Sequence, residues 1–146
     1  MIGFYVAVVG TILKGNAMIL LTGALLGFIS VAFGAFAEHG LKDTVSNEHF
    51  RFLMTAVRYN QIHSVIIVAI GLSTRSVGCW CDTRHLTWTG AAFIIGTMLF
   101  SFSIYLSVSL QIPFLVNLTP LGGITLMIGW LMLAFSAFMS LKNRRQ

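Results

Sequence analysis

The chain has 146 residues, of which 57% are hydrophobic and only 9% charged. A soluble domain of this length exposes about a quarter charged residues, so a water-facing surface is excluded and an integral membrane protein is required. The net charge of +5 does not point to nucleic acid, because the basic residues are scattered at helix ends and in loops, with no basic patch or readout motif.

No linker or low-complexity tract divides the chain, so residues 1–146 read as a single transmembrane domain. Met1 to Leu13 is apolar but short, and Lys14 follows it. A secretory signal carries its positive charge before the apolar run, so residues 1–16 read as an apolar N-terminal extension. Either it lies at the interface or translation starts at Met18, a choice that the intact mass of the natively expressed protein decides. Ala17 to Phe36 then runs without a charge, long enough for one span, taken as about 17–37. Gly23, Gly27, Ser30 and Gly34 fall on one helical stripe, where small residues let another backbone approach closely. Gly40 is the expected cap after Glu38 and His39.

From Leu41 to Val57 the chain turns polar, and Ser46 or Asn47 is placed to cap an amphipathic interfacial segment presenting Phe50, Leu53, Met54 and Val57. The second span follows at about 58–74. Counting from Arg58 to Thr74 gives only about 25 Å of helix against roughly 30 Å of hydrocarbon. Arg58 therefore sits at the apolar boundary, with Tyr59, Asn60, Gln61 and His63 progressively deeper. Polar groups there need partners from other helices, since lipid offers none.

Thr74 to Thr87 reads as a loop holding Arg75, Asp82, Arg84 and His85. Cys79, Cys81, Asp82 and His85 are metal-binding types but lack the spacing of a structural zinc site, so no metal is expected. Two cysteines are too few for a disulfide scaffold. Trp80 and Trp88 mark a membrane interface.

Leu86 to Leu141 carries no charge, which is two spans at about 87–110 and 120–141, broken near Gln111, Pro113, Asn117 and Pro120. In the third, Thr97, Ser101 and Tyr105 form a polar seam. In the fourth, Thr119 is the expected N-cap with Pro120 first in the helix, and Gly122, Thr125, Gly129 and Ser136 form a small stripe. The fold expected is all-α, a bundle of four transmembrane helices running up-down-up-down.

Four spans put Lys14, Arg75, Arg84, Lys142, Arg144 and Arg145 on one side and Lys42, Arg51 and Arg58 on the other. The excess places both termini in the cytoplasm of a cell inner or plasma membrane, with Cys79 and Cys81 reduced. The same alternation gathers Glu38, His39, Arg58, Tyr59, Gln61, His63, Ser101, Tyr105, Asn117 and Thr119 in one leaflet as a polar cluster, with Glu38 and Arg58 as its expected ion pair. Gly23, Gly27, Gly34, Gly122 and Gly129 are the expected helix-packing positions.

The segments Gly34 to Lys42, Ala56 to His63, Phe100 to Tyr105 and Leu118 to Gly123 resemble the signature blocks of the YgdD/YwdK-like small membrane proteins, a family of unknown function. The resemblance covers roughly Met18 to Leu141. It implies a four-helix membrane protein, with His39, Arg58, Tyr59, His63, Ser101, Tyr105, Thr119, Pro120, Gly122 and Gly123 at signature positions, and it implies no activity or cofactor. The family pattern reads Gly-Ala-Phe-Gly-Ala-His-Gly, whereas Ala37 and Glu38 stand here where Gly and Ala are expected.

The function expected is structural or accessory, with the polar cluster holding short helices in register and the outer surface meeting a membrane protein partner or a second copy. The alternative is small-solute or ion transport through a cavity at the cluster. His39 and His63 could in principle act as acid and base or as haem ligands. No carboxylate pair or activated nucleophile accompanies them, so neither catalysis nor a cofactor is expected.

Overall fold

The computed structural model describes residues 2–74 and 83–143, and the side chains of 17–74 and 84–142. Among them there is no strand, and four helical stretches are long and apolar enough to cross a membrane: Ala17–Leu41, Asn47–Ser73, Arg84–Ser109 and Pro113–Lys142. Lys14, Arg75, Cys79, Trp80, Cys81, Asp82, Arg144 and Arg145 lie outside the described side chains.

Helix α1 (Ile2–Phe36) runs into a π turn at Ala37–Leu41. This corrects the expected glycine cap. Gly40 lies within the turn, and what it supplies is room, since a Cβ there would come 3.2 Å from the Phe36 ring. Along the crossing part of α1, Leu21, Leu25, Phe28 and Val31 are exposed while Gly23, Leu26 and Ser30 are buried. A bulky face turned outward and a small-residue face turned inward is what lipid requires, because large side chains lose nothing by facing acyl chains.

Helix α2 (Asn47–Ser73) starts at Ser46, whose extended backbone and hydroxyl cap the first turn by accepting from the His49 amide at 3.2 Å. As expected of a second span that continues the preceding segment, Asn47 to Ser73 form one unbroken helix, in which Leu53, Ala56 and Val57 are buried.

The third crossing is interrupted. Helix α3 (Thr83–Thr97) passes through a π turn at Met98–Phe102 into α4 (Ser103–Ser109). A π turn inserts one residue into the helical register, so every later side chain is rotated relative to a regular helix. The crossing ends at Gln111, in the left-handed region at φ 55°. The Ile112 amide then bonds back to the Ser107 carbonyl at 3.0 Å, the six-to-one closure of a Schellman cap. Glycine usually fills such a position, and a residue with a Cβ costs roughly 1 kcal/mol there.

Pro113 opens a 3-10 segment, Pro113–Leu118, which leads directly into α5 (Thr119–Asn143). This corrects the expected cap: Thr119 is itself helical, at φ −57° and ψ −44°, so its hydroxyl is free to bond elsewhere. On α5, Leu121, Met127, Leu131 and Phe138 are exposed while Gly122, Leu126, Gly129 and Ser136 are buried.

Neighbouring helices approach through glycine. A Cβ on Gly23 would lie 2.8 Å from Ile67 and 2.9 Å from the Val68 nitrogen; one on Gly71 would lie 2.8 Å from the Leu20 backbone. Gly34 faces Val57, so residue numbers rise along α1 as they fall along α2, and the two helices are antiparallel. The same holds between α3 and α5, where Gly96 meets Leu126, Gly129 meets Phe93, and Gly122 meets the backbone of Phe100.

Two apolar layers form the interior. One gathers Ile19, Leu26, Ile67, Ile70, Phe93 and Leu126. The other gathers Ala37, Leu53, Ala56, Val57, Ile104 and Tyr105. Between them, in sequence on α1, α2 and the third crossing, lie the buried polar residues Ser30, Asn60, His63, Ser64, Thr97 and Ser101.

Candidate functional site

The buried polar residues form a layer about halfway along the spans. Position 60 is midway between Asn47 and Ser73, position 97 between Arg84 and Ser109, and position 30 between Ala17 and Leu41. Ser101 ties the third crossing to α2: its hydroxyl donates to the Ala56 carbonyl at 2.9 Å. A helical carbonyl already accepts one amide bond, and its second lone pair takes the serine without disturbing the helix. The Asn60 amide donates to the Tyr105 hydroxyl at 3.5 Å, a long and therefore weak bond.

His63 turns inward between rings. Its Nδ1 lies 2.7 Å from the Tyr59 carbonyl on its own helix, and its imidazole sits 5.7 Å from the Phe93 ring and 6.3 Å from the Trp130 indole. Tyr59 stacks on Phe100 at 4.5 Å, and Tyr105 stacks on Phe33 at 3.9 Å. The layer is thus closed by aromatic contacts from all four crossings. Two buried oxygens within it, Asn60 Oδ1 and Thr97 Oγ1, have no hydrogen-bond partner among the described residues.

The ten residues expected to cluster are divided. His63, Ser101 and Tyr105 belong to the buried region, and Tyr59 flanks it through its ring contacts. Thr119 lies nearer one end, where its Oγ1 is 2.8 Å from the Ser103 hydroxyl. Glu38, His39 and Asn117 lie at the same end of their helices: His39 and Asn117 are exposed, and Glu38 is only partly covered. Arg58 and Gln61 are exposed and line a shallow groove of about 330 Å³ with Val31, Gly34, Met54 and Val57.

The expected Glu38–Arg58 pair is corrected. Glu38 pairs with Lys42, one turn along its own chain. Two residues four apart on a helical turn meet without any tertiary constraint, whereas Arg58 is exposed at the groove between α1 and α2. The hydrogen bond that Lys42 donates to Glu38, followed by the Coulomb attraction between them, raises the Lys42 ammonium above its usual pKa of 10.5.

Six buried polar residues absent from the expected cluster contribute to this region: Ser30, Asn60, Ser64, Thr97, Ser103 and Ser107. Asn60 lies within a signature block and three residues before His63, so helical spacing could have placed it inward. Ser103 and Ser107 follow the π turn, and a regular helical wheel drawn from Thr97 misplaces them.

A cleft of about 550 Å³ opens at the end of the bundle carrying the α1–α2 connection. It lies between the first turns of α2, the last turns of α4, and the 3-10 segment. It shares Phe100, Ile104 and Thr119 with the contacts described above.

Among the described residues no group of three or more His, Cys, Asp or Glu side chains is arranged to hold a metal ion. Cys79, Cys81 and Asp82 lie outside those residues.

The model of the family described as "Protein of unknown function (DUF423)" matches residues 33–123. The chain belongs to this family. A UPF0382 membrane protein of Staphylococcus haemolyticus is 32% identical over 121 residues, covering 83% of this chain and 95% of the relative. One from Haemophilus influenzae is 33% identical over 80% of this chain and 90% of its own length. The UPF0382 inner membrane protein YgdD of Escherichia coli K12 is 28% identical over 84% of this chain and 90% of its own length. No solved structure matches the chain. This is a membrane protein of the DUF423 family, with four crossings long enough to span.

Proposed function

We propose that this DUF423 protein is a structural or accessory component of the cell inner membrane: one domain of four helices running up-down-up-down with both termini cytoplasmic, acting without a cofactor. Its lateral surface meets lipid and either another membrane protein or a second copy. The observation that carries this reading is the buried layer, in which Asn60, Thr97 and Ser101 are all 0% exposed. A route for solute needs an opening at that depth, whereas these residues lie between two apolar layers. The antiparallel glycine contacts support the alternating arrangement, and the basic residues of the chain favour the cytoplasmic side for its ends.

Transport through a cavity at the cluster is the competing reading, and the cleft beside Phe100 and Thr119 is what favours it. Reconstitution separates the two. The purified protein in liposomes is expected to pass neither protons nor small solutes above protein-free vesicles, while the Ser101→Ala, Tyr105→Phe double variant loses thermal stability in detergent. Flux through the wild type that this variant abolishes while keeping its fold would overturn the structural reading.

A further inference from the structure

We propose that the cleft of about 550 Å³ between α2, α4 and the 3-10 segment binds the glycerol ester head and adjoining chain of an uncharged acylglycerol drawn from the bilayer. Its volume lies within the range of small-molecule sites. Among the described residues the lining contains no Lys, Arg, Asp or Glu, and His49 is its only titratable side chain. An anionic phospholipid head would find no fixed counter-charge inside it. A neutral head loses nothing by that absence.

The walls set the rest of the chemistry. Phe52, Phe100, Ile104 and Val108 make an apolar surface, and Phe52 and Val116 are exposed where the cleft opens, a rim that an acyl chain can enter from lipid. Against this surface stand hydrogen-bonding groups that the fold leaves unused. Ser107 is only 6% exposed, lines the cleft, and its hydroxyl has no partner among the described residues. The hydroxyl is not among the fully buried unpartnered oxygens, so it is open to the cleft and available to a polar group bound there. Gln111, one turn further on, also lines the cleft and keeps an amide side chain at a left-handed position, φ 55°, where glycine would be less strained.

His49 completes the set. Ser46 Oγ lies 3.0 Å from its Nδ1, which leaves Nε2 for a ligand. Serine, glutamine and imidazole each both donate and accept across their states. A glycerol ester head does the same, offering hydroxyls to donate and carbonyl oxygens to accept. A hydrocarbon would leave these groups unpaired.

The test is photolabelling of the full chain in neutral detergent with a diazirine-bearing monoacylglycerol. Adducts are expected to map to 44–55 and 100–119, and to be competed by unlabelled monooleoylglycerol but not by phosphatidylglycerol or oleate. Ser107→Leu is expected to reduce labelling about tenfold, the loss of roughly one well-made polar interaction in affinity terms. Because a buried substitution can unfold the protein, Val116→Trp at the exposed rim is a second blocking variant, expected to reduce labelling with the melting temperature unchanged. Labelling spread along the lipid-facing sides of α1 and α5, competition by all three lipids alike, or full labelling of folded Val116→Trp would each overturn the proposal.

Discussion

The seams built on glycine and the seam built on hydrogen bonds hold the same bundle by different means. Where α1 meets α2 and α3 meets α5, backbones approach until a single added carbon would overlap its neighbour, as at Gly71 against Leu20 and Gly122 against Phe100. Where α2 meets the third crossing, the helices are joined by Ser101 to the Ala56 carbonyl, Asn60 to Tyr105, and Tyr59 stacked on Phe100. Lipid supplies no hydrophobic drive between helices, so close packing and polar bonds are the two means available. They should fail differently: a glycine seam abruptly on overpacking, a hydrogen-bonded seam in small steps.

The largest effect is therefore expected from Gly71→Val, whose first added carbon lies 2.8 Å from the Leu20 backbone. Backbone cannot step aside as a side-chain end can, and a loss of more than about 2 kcal/mol is expected, read as a collapse of the monodisperse peak in detergent chromatography. The comparison sharpens with Gly27→Ala, where the nearest atom is Ser64 Oγ at 3.4 Å; this variant should elute and melt like the wild type. Equal damage from both would remove the steric account.

Next comes Tyr105→Phe, which removes the Tyr105 hydroxyl that accepts from the buried Asn60 amide and should cost about 1 kcal/mol in thermal unfolding. Adding Asn60→Leu to it should recover most of that loss, because Asn60 Oδ1 is already unpartnered and removing both partners removes the penalty. A double variant worse than either single change would show that the pair contributes more than its 3.5 Å separation implies. Ser101→Ala is expected to be smaller, about 0.6 kcal/mol, since the Ala56 carbonyl retains the bond of its own helix.

The smallest effect belongs to Glu38→Gln at the exposed Lys42 pair. With its pKa raised in the folded state, Lys42 contributes stability that is present below its ordinary value of 10.5 and lost as pH rises through the folded value. The substitution should lower melting slightly at neutral pH, leave it unchanged at pH above the folded value, and so abolish the decline on the alkaline side of a pH series.

Much of this division was visible in the residues. A hydrophobic content incompatible with a water-facing surface fixed the environment, and the spacing of Gly23, Gly27 and Gly34 marked the face that α2 occupies. The polar site was less legible. Glu38 had two cations within reach, and its own helical turn brought Lys42 closer than any tertiary contact brought Arg58. Ser103 and Ser107 stayed hidden because a π turn leaves no unmistakable mark in sequence and shifts the register after Met98. Gln111 could be read as a break, but not as a left-handed residue holding its side chain at a cleft.

Apolar length and small-residue spacing depend only on neighbours along the chain, so the amino-acid order by itself determined the membrane class, the number of crossings and the glycine faces. Depth and partner choice depend on how helices slide and rotate against one another. Only the tertiary structure could set Asn60, Thr97 and Ser101 at mid-span, turn Arg58 outward, and leave the Ser107 hydroxyl facing an open cleft. Those positions follow from packing between distant segments, which local periodicity does not encode.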